Sequence, residues 1–159
     1  DHGSRFVIRL PEIAASAVPP APVNSPALRR APVAVRHVLV VDDDPPIVKL
    51  LHNFLEHMGH HVRATTLSTK ALDWIRSGER FDIVITDQMM PDITGTELAR
   101  TIALCAPGTK VLLCSGRDDL IDYKEIAAAK VDAFMLKPFD LNELANKMEE
   151  LLNDADALT

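Results

Sequence analysis

Apolar residues come in short runs along this chain, most closed by a polar residue and separated by stretches with helical spacing. HVLVV at 37–41 reads as a strand that ends in Asp42, Asp43 and Asp44. Pro45 and Pro46 then open a helix, as proline suits a first helical turn. Its apolar residues Ile47, Val48, Leu50, Leu51, Phe54, Leu55 and Met58 form the inward face, and Gly59 closes it. HVRAT at 61–65 is a weaker strand. A helix at 68–77 points Ala71, Leu72 and Ile75 inward and breaks at Gly78. Phe81, Ile83, Val84, Ile85 and Thr86 read as a buried strand over 81–86, ending at Asp87. A turn, MMPDITG, follows, punctuated by Pro91 and Gly95.

The same alternation continues to the end. A helix is expected over 97–104, a strand over 110–114 ending at Ser115, and a helix capped by Asp118 or Asp119 and running to about Lys130. A fifth strand over 131–136 leads into Lys137 and Pro138. Asp140 caps a last helix with Leu141, Leu144, Ala145, Met148, Leu151 and Leu152 inward. Five strands alternating with five helices predict an α/β fold, a doubly wound five-stranded parallel sheet of flavodoxin-like order 2-1-3-4-5. The chain lacks GxGxxG after the first strand and GxxxxGK[ST], which disfavours dinucleotide and nucleoside triphosphate sites.

Residues 1–35 differ from the rest, holding six of the eleven prolines and two acidic residues. Residues 12–35 read as a Pro/Ala-rich linker, semi-rigid and extended. Residues 36–155 are the expected domain and 156–159 a tail. A net charge of -6 argues against nucleic acid. Apolar runs are too short to span a bilayer and no signal peptide is evident, so a cytoplasmic location without direct membrane contact is expected. Cys105 and Cys114 lie in no metal-like cluster and read as small buried hydrophobes.

In a 2-1-3-4-5 sheet the third strand is central, with the first and fourth beside it. The strand ends then bring Asp42, Asp43, Asp44, Asp87, Ser115 and Lys137 to one edge. Taken singly, the triple Asp also fits a solvated helix start, Lys137 a surface lysine and Ser115 a turn. Taken together, they suit phosphoryl transfer to Asp87: a carboxylate nucleophile, a hard divalent cation, and a lysine and hydroxyl that offset the transferring charge. Asp44 also fits a plain helix cap, and Asp92 a residue that orders its own turn.

VLVVDDD, DIVITDQMMPDITG, VLLCSG and FMLKPF, in this order, resemble the receiver domain of two-component response regulators. The resemblance covers about residues 36–155. It implies Asp87 as phosphoacceptor, with Mg2+ (Mn2+ as substitute) held by Asp43 directly, Asp42 largely through water, Asp87 and the Met89 carbonyl. It implies Ser115 as the hydroxyl that contacts the phosphoryl group, Lys137 as the conserved lysine before a cis Pro138, and Phe134 as the switch aromatic. The implied donor is a phosphohistidine on a kinase or phosphotransfer protein. The implied output face is the fourth helix, fifth strand and fifth helix, where two receivers can pair. Slow autodephosphorylation is also implied, tuned by Met89 and Arg117. Lys130 stands where many relatives have glycine.

GSRFVIRLP within residues 1–11 resembles the closing strand of a sensor kinase ATP-binding domain, or is left by cloning. With the linker it predicts the C-terminal receiver of a hybrid histidine kinase. Two rival functions are a pseudo-receiver that only binds protein and a haloacid-dehalogenase-like phosphohydrolase. The second would label Asp42 rather than Asp87, and it lacks its DxDGT-like motif and cap.

Overall fold

The sheet is built from β1 (His37–Val41), β2 (His61–Thr65), β3 (Ile83–Asp87), β4 (Lys110–Ser115) and β5 (Ala133–Leu136). They are all parallel, in the order β2-β1-β3-β4-β5. A computed structural model describes residues 34–116 and 123–156. The readings made for residues 1–33, Arg117, Asp118, Asp119 and the last three residues lie outside them.

Between the strands run α1 (Pro45–His57), α2 (Ser68–Arg76), α3 (Gly95–Cys105), α4 (Tyr123–Ala128) and α5 (Leu141–Asp156). Strand alternation sends Leu39, Val41, Val84 and Val111 to one face, where Leu72, Ile75, Leu98 and Ile102 of α2 and α3 cover them. Val38, Val40, Ile83, Ile85 and Leu112 face α1 and α5 through Leu51, Leu55, Leu144 and Met148. Burial on both faces explains why β1, β3 and β4 read as continuous apolar runs, whereas the edge strand β2 is partly exposed and reads weaker. Each fully buried aliphatic side chain contributes roughly 1.5–3 kcal/mol.

Several details differ from the sequence reading. Leu50 is 53% exposed, because α1 buries only the Leu51/Leu55 stripe fully. Cys105 is exposed at the end of α3, whereas Cys114 is buried in β4. β3 is shifted toward its carboxyl end, with Phe81 buried ahead of it and Asp87 inside it. β5 starts at Ala133 rather than Val131. α3 starts two residues before Glu97, since Thr94 and Glu97 form a reciprocal capping box. Asp44 stands at the N-cap of α1 but makes no side-chain cap bond.

Other details agree with it. Asp140 Oδ1 accepts the Glu143 N–H at 2.8 Å. Lys130 has φ 57 and Asp92 φ 68, and Lys137-Pro138 is cis.

Candidate functional site

Each strand of the central trio ends in a polar residue at the same edge. Asp42 follows β1, Asp87 ends β3 opposite Cys114, and Ser115 ends β4 opposite Leu136 of β5. Such carboxyl ends are where open α/β sheets hold ligands. Asp42 is 3%, Asp87 7% and Ser115 2% exposed. Carboxylates this deep require partners.

Lys137 supplies them. Its Nζ donates to Asp42 Oδ2 at 2.5 Å and to Asp87 Oδ1 at 2.6 Å. Its backbone N–H donates to the Ser115 carbonyl at 2.7 Å, which fixes where the lysine stem leaves β5. The second oxygen of each acid is also engaged. Asp42 Oδ1 accepts the Asp44 N–H at 3.0 Å, and Asp87 Oδ2 accepts the Met89 N–H at 2.6 Å.

One ammonium therefore serves two carboxylates. Burial works against the Lys137 charge, but its bonds to Asp42 and Asp87 prevail and raise its pKa. At Asp87 the balance goes the other way. Burial pushes its carboxyl above the ordinary range and the Asp42 charge adds to that, against the pull of Lys137 and the Met89 N–H. The lysine gains from both acids, while each acid has a share of one counter-ion. Nearby, burial pushes the Cys114 thiol up to about 12, so it is inert.

The remaining predicted residues are close to the triad along the chain. Asp43 is exposed beside Asp42, and Met89 is 58% exposed. Phe134 is half-buried in β5, in register with Leu113, on the sheet face opposite Met135. The net negative charge and hard carboxylate oxygens fit a small divalent cation such as magnesium or manganese. Among the described residues no three acidic, His or Cys side chains stand together as a set that could hold a metal ion. Magnesium does not need three, because it retains several waters.

Gly95 brings α3 against the end of β3. A Cβ there would overlap the Asp87 carbonyl oxygen and stand 2.5 Å from Leu113 Cδ1. Gly95 closes the turn as expected, and the close approach is what requires a glycine here. A larger groove, about 920 Å³, opens at the opposite end of the sheet, past Arg36, Phe81 and Lys110. It gathers no comparable set of buried charges and lies at the wrong end of the strands for this fold.

Residues 38–149 match the family model described as a response regulator receiver domain. This chain belongs to that family. It is a receiver domain of two-component signalling, in which the receiver is the phosphoacceptor module. It is 34% identical over 116 residues to the DNA-binding transcriptional regulator NtrC of Azospirillum brasilense, covering 73% of this chain and 24% of NtrC. It is 35% identical over 146 residues to the virulence sensor protein BvgS of Bordetella pertussis, covering 87% of this chain and 12% of BvgS. The chain thus spans about a quarter or less of these curated relatives. Among solved structures, the receiver matches the response regulator TrrA of Thermotoga maritima in complex with Mg(2+)-BeF. The TM-score is 0.67 at 31% identity, covering 74% of this chain and 100% of that one. Among the described residues no helix is long and apolar enough to cross a membrane.

Proposed function

We propose that this receiver takes a phosphoryl group from a phosphohistidine onto Asp87. The carrying observation is that Asp42 and Asp87, both buried, converge on Lys137 Nζ at the carboxyl end of the sheet. In the transfer an Asp87 carboxylate oxygen attacks phosphorus. The P–N bond breaks, and its electron pair leaves with the donor imidazole. Lys137 is placed to follow the charge from the carboxylate to a phosphoryl oxygen. Ser115, at the end of the neighbouring strand, supplies a hydroxyl to another oxygen, and Phe134 packs behind it as the switch aromatic. The Met89 N–H orients the attacking carboxylate through Oδ2.

Asp42, Asp43, Asp87 and the Met89 carbonyl would hold Mg2+ or Mn2+. When bound, the ion supplies positive charge that lowers repulsion between these acids and the incoming phosphoryl group. The magnesium named in the TrrA structure supports this choice.

The phosphorylated state passes to α4, β5 and α5, the face for a partner or a second receiver. Slow hydrolysis of the aspartyl phosphate resets it. The donor is a kinase dimerisation domain or phosphotransfer protein in the cytoplasm. Residues 36–155 form the receiver, 12–35 a linker and 156–159 a tail. Residues 1–11 derive from a preceding kinase domain or from cloning, and the similarity to the sensor protein BvgS supports a hybrid kinase.

Intact mass tests the reading. Acetyl phosphate with Mg2+ should add one phosphate to the chain, and Asp87→Asn should take up none. Uptake undiminished in Asp87→Asn, or none in the parent chain with any donor and ion, would overturn it.

A further inference from the structure

A second connection leaves the β3 end, separate from Ser115 and Phe134. Gln88 follows Asp87 directly. Its backbone N–H donates to the Cys114 carbonyl at 2.8 Å, and its carbonyl accepts the Gly95 N–H at 3.1 Å. Its peptide is therefore tied to both β4 and α3. Its side chain grips Thr96: Oε1 accepts the Thr96 N–H at 3.1 Å, and Nε2 donates to Thr96 Oγ1 at 3.4 Å. The Thr96 hydroxyl in turn donates to Glu125 Oε1 of α4 at 3.3 Å. Arg100 Nη2 meets the same oxygen at 3.3 Å.

Thr96 is 1% exposed, so its hydroxyl is screened from water and the chain of bonds is directional. Its orientation follows from donor chemistry. Gln88 Oε1 already takes the Thr96 N–H, leaving Nε2 to face the hydroxyl. With Nε2 donating into it, the hydroxyl has Thr94 Oγ1 at 3.2 Å and Glu125 Oε1 at 3.3 Å in reach, and the carboxylate, which only accepts, is the stronger acceptor for its proton.

We propose that Gln88 is a positioning residue, coupling the phosphoacceptor loop to α4 through Thr96 and Glu125. The proposal rests on the reading of Asp87 as acceptor. Charge arriving at Asp87 pulls on the β3–α3 turn, and Gln88 carries that displacement to the helix across the sheet edge. α4 thus answers to two inputs, one through Ser115 and one through Gln88. The bland alternative is that these bonds merely cap α3, whose N-terminus already has the Thr94/Glu97 box.

Hydrogen exchange on the full chain separates the two. The reporters are the Ala129 and Lys130 amides just past α4, which bond to the Glu125, Ile126 and Ala127 carbonyls within it. In the unmodified chain, Thr96→Val and Gln88→Leu should speed their exchange about three- to tenfold, the loss expected for one or two modest hydrogen bonds. Thr96→Ser, which keeps the hydroxyl, should stay near the parent rate, and the Leu39 and Val40 amides of β1 should not change. With beryllofluoride and Mg2+, the change at Ala129 and Lys130 seen in the parent should shrink at least about threefold in Thr96→Val. Parent-like α4 rates in unmodified Thr96→Val would overturn the proposal. So would equal acceleration in β1, a Thr96→Ser variant as fast as Thr96→Val, or an undiminished beryllofluoride response. A parent chain that ignores beryllofluoride counts against Asp87 as acceptor instead, and the unmodified arm still decides the relay.

Discussion

Replacing Lys137 with methionine removes the bridging ammonium and keeps most of the side-chain bulk. The two acid oxygens lie 2.5 and 2.6 Å from one nitrogen. They are thus at most about 5 Å apart, where two like charges repel by roughly 3 kcal/mol at an effective dielectric of 20. Breaking a buried pair from one side costs about 3–5 kcal/mol in general. Lys137 retains 20% side-chain exposure and Asp87 9%, so some water reaches the site. A loss of about 2–3 kcal/mol at pH 7 is therefore expected, or roughly 6–15 °C in Tm.

The pH dependence has a definite sign. Asp87 is already raised in the folded state, so folding disfavours its ionised form. Without Lys137 that rise grows. The Lys137→Met deficit should be full above the new folded value and should close as pH falls toward about 4, where the unfolded carboxyl also binds its proton. Urea unfolding followed by the fluorescence of Trp74, the single tryptophan, measures it at pH 7 and at about pH 4.5. Adding about 10 mM Mg2+ should recover more stability in the variant than in the parent, if the ion enters the same negative cluster. A deficit equal at both pH values, or none at pH 7, would refute this account of the triad.

Gly95→Ala should lose about 3 kcal/mol, because the new Cβ forces α3 off the Asp87 carbonyl and Leu113; a parent-like Tm would contradict the close approach. Lys130→Gly should gain about 0.5–1 kcal/mol by relieving a left-handed backbone, less the extra freedom of the unfolded glycine; urea midpoints report it, and a loss would show that the lysine side chain matters more. His60 is 5% exposed, and burial holds its imidazole below its ordinary pKa. Its contribution is intact above about pH 6.5 and fades as pH falls toward the folded value, since the unfolded chain binds the proton first. His60→Phe should therefore flatten the fall in stability between about pH 7 and 5.5, and an unchanged slope would remove His60 from that role.

Element type and order are legible because β1, β3 and β4 are buried on both faces and α1, α2, α3 and α5 each show an apolar stripe. The polar residue ending each strand marked the site edge. What escaped the sequence depends on through-space partners. Leu50 has the right spacing for the α1 face, yet the sheet is covered by the stripe beside it. The α3 start is legible in the Thr94–Glu97 spacing of a capping box, which places it two residues before Glu97. Lys137 was expected to wait for a phosphoryl oxygen; that it bridges Asp42 and Asp87 depends on residues 95 and 50 positions away. Gln88, Thr96 and Glu125 gave no sequence signal, because each looks like an ordinary surface polar residue until the turn and α4 meet.

The proposed function stands or falls on Asp87 itself accepting the phosphoryl group. Reductive trapping of the acetyl phosphate-treated chain, followed by peptide mass spectrometry, locates the modified carboxyl. One modified residue is expected, Asp87, in the peptide that carries TDQMMPD. Modification of Asp42 in its place, or a labelled chain with Asp87 unchanged, would contradict it.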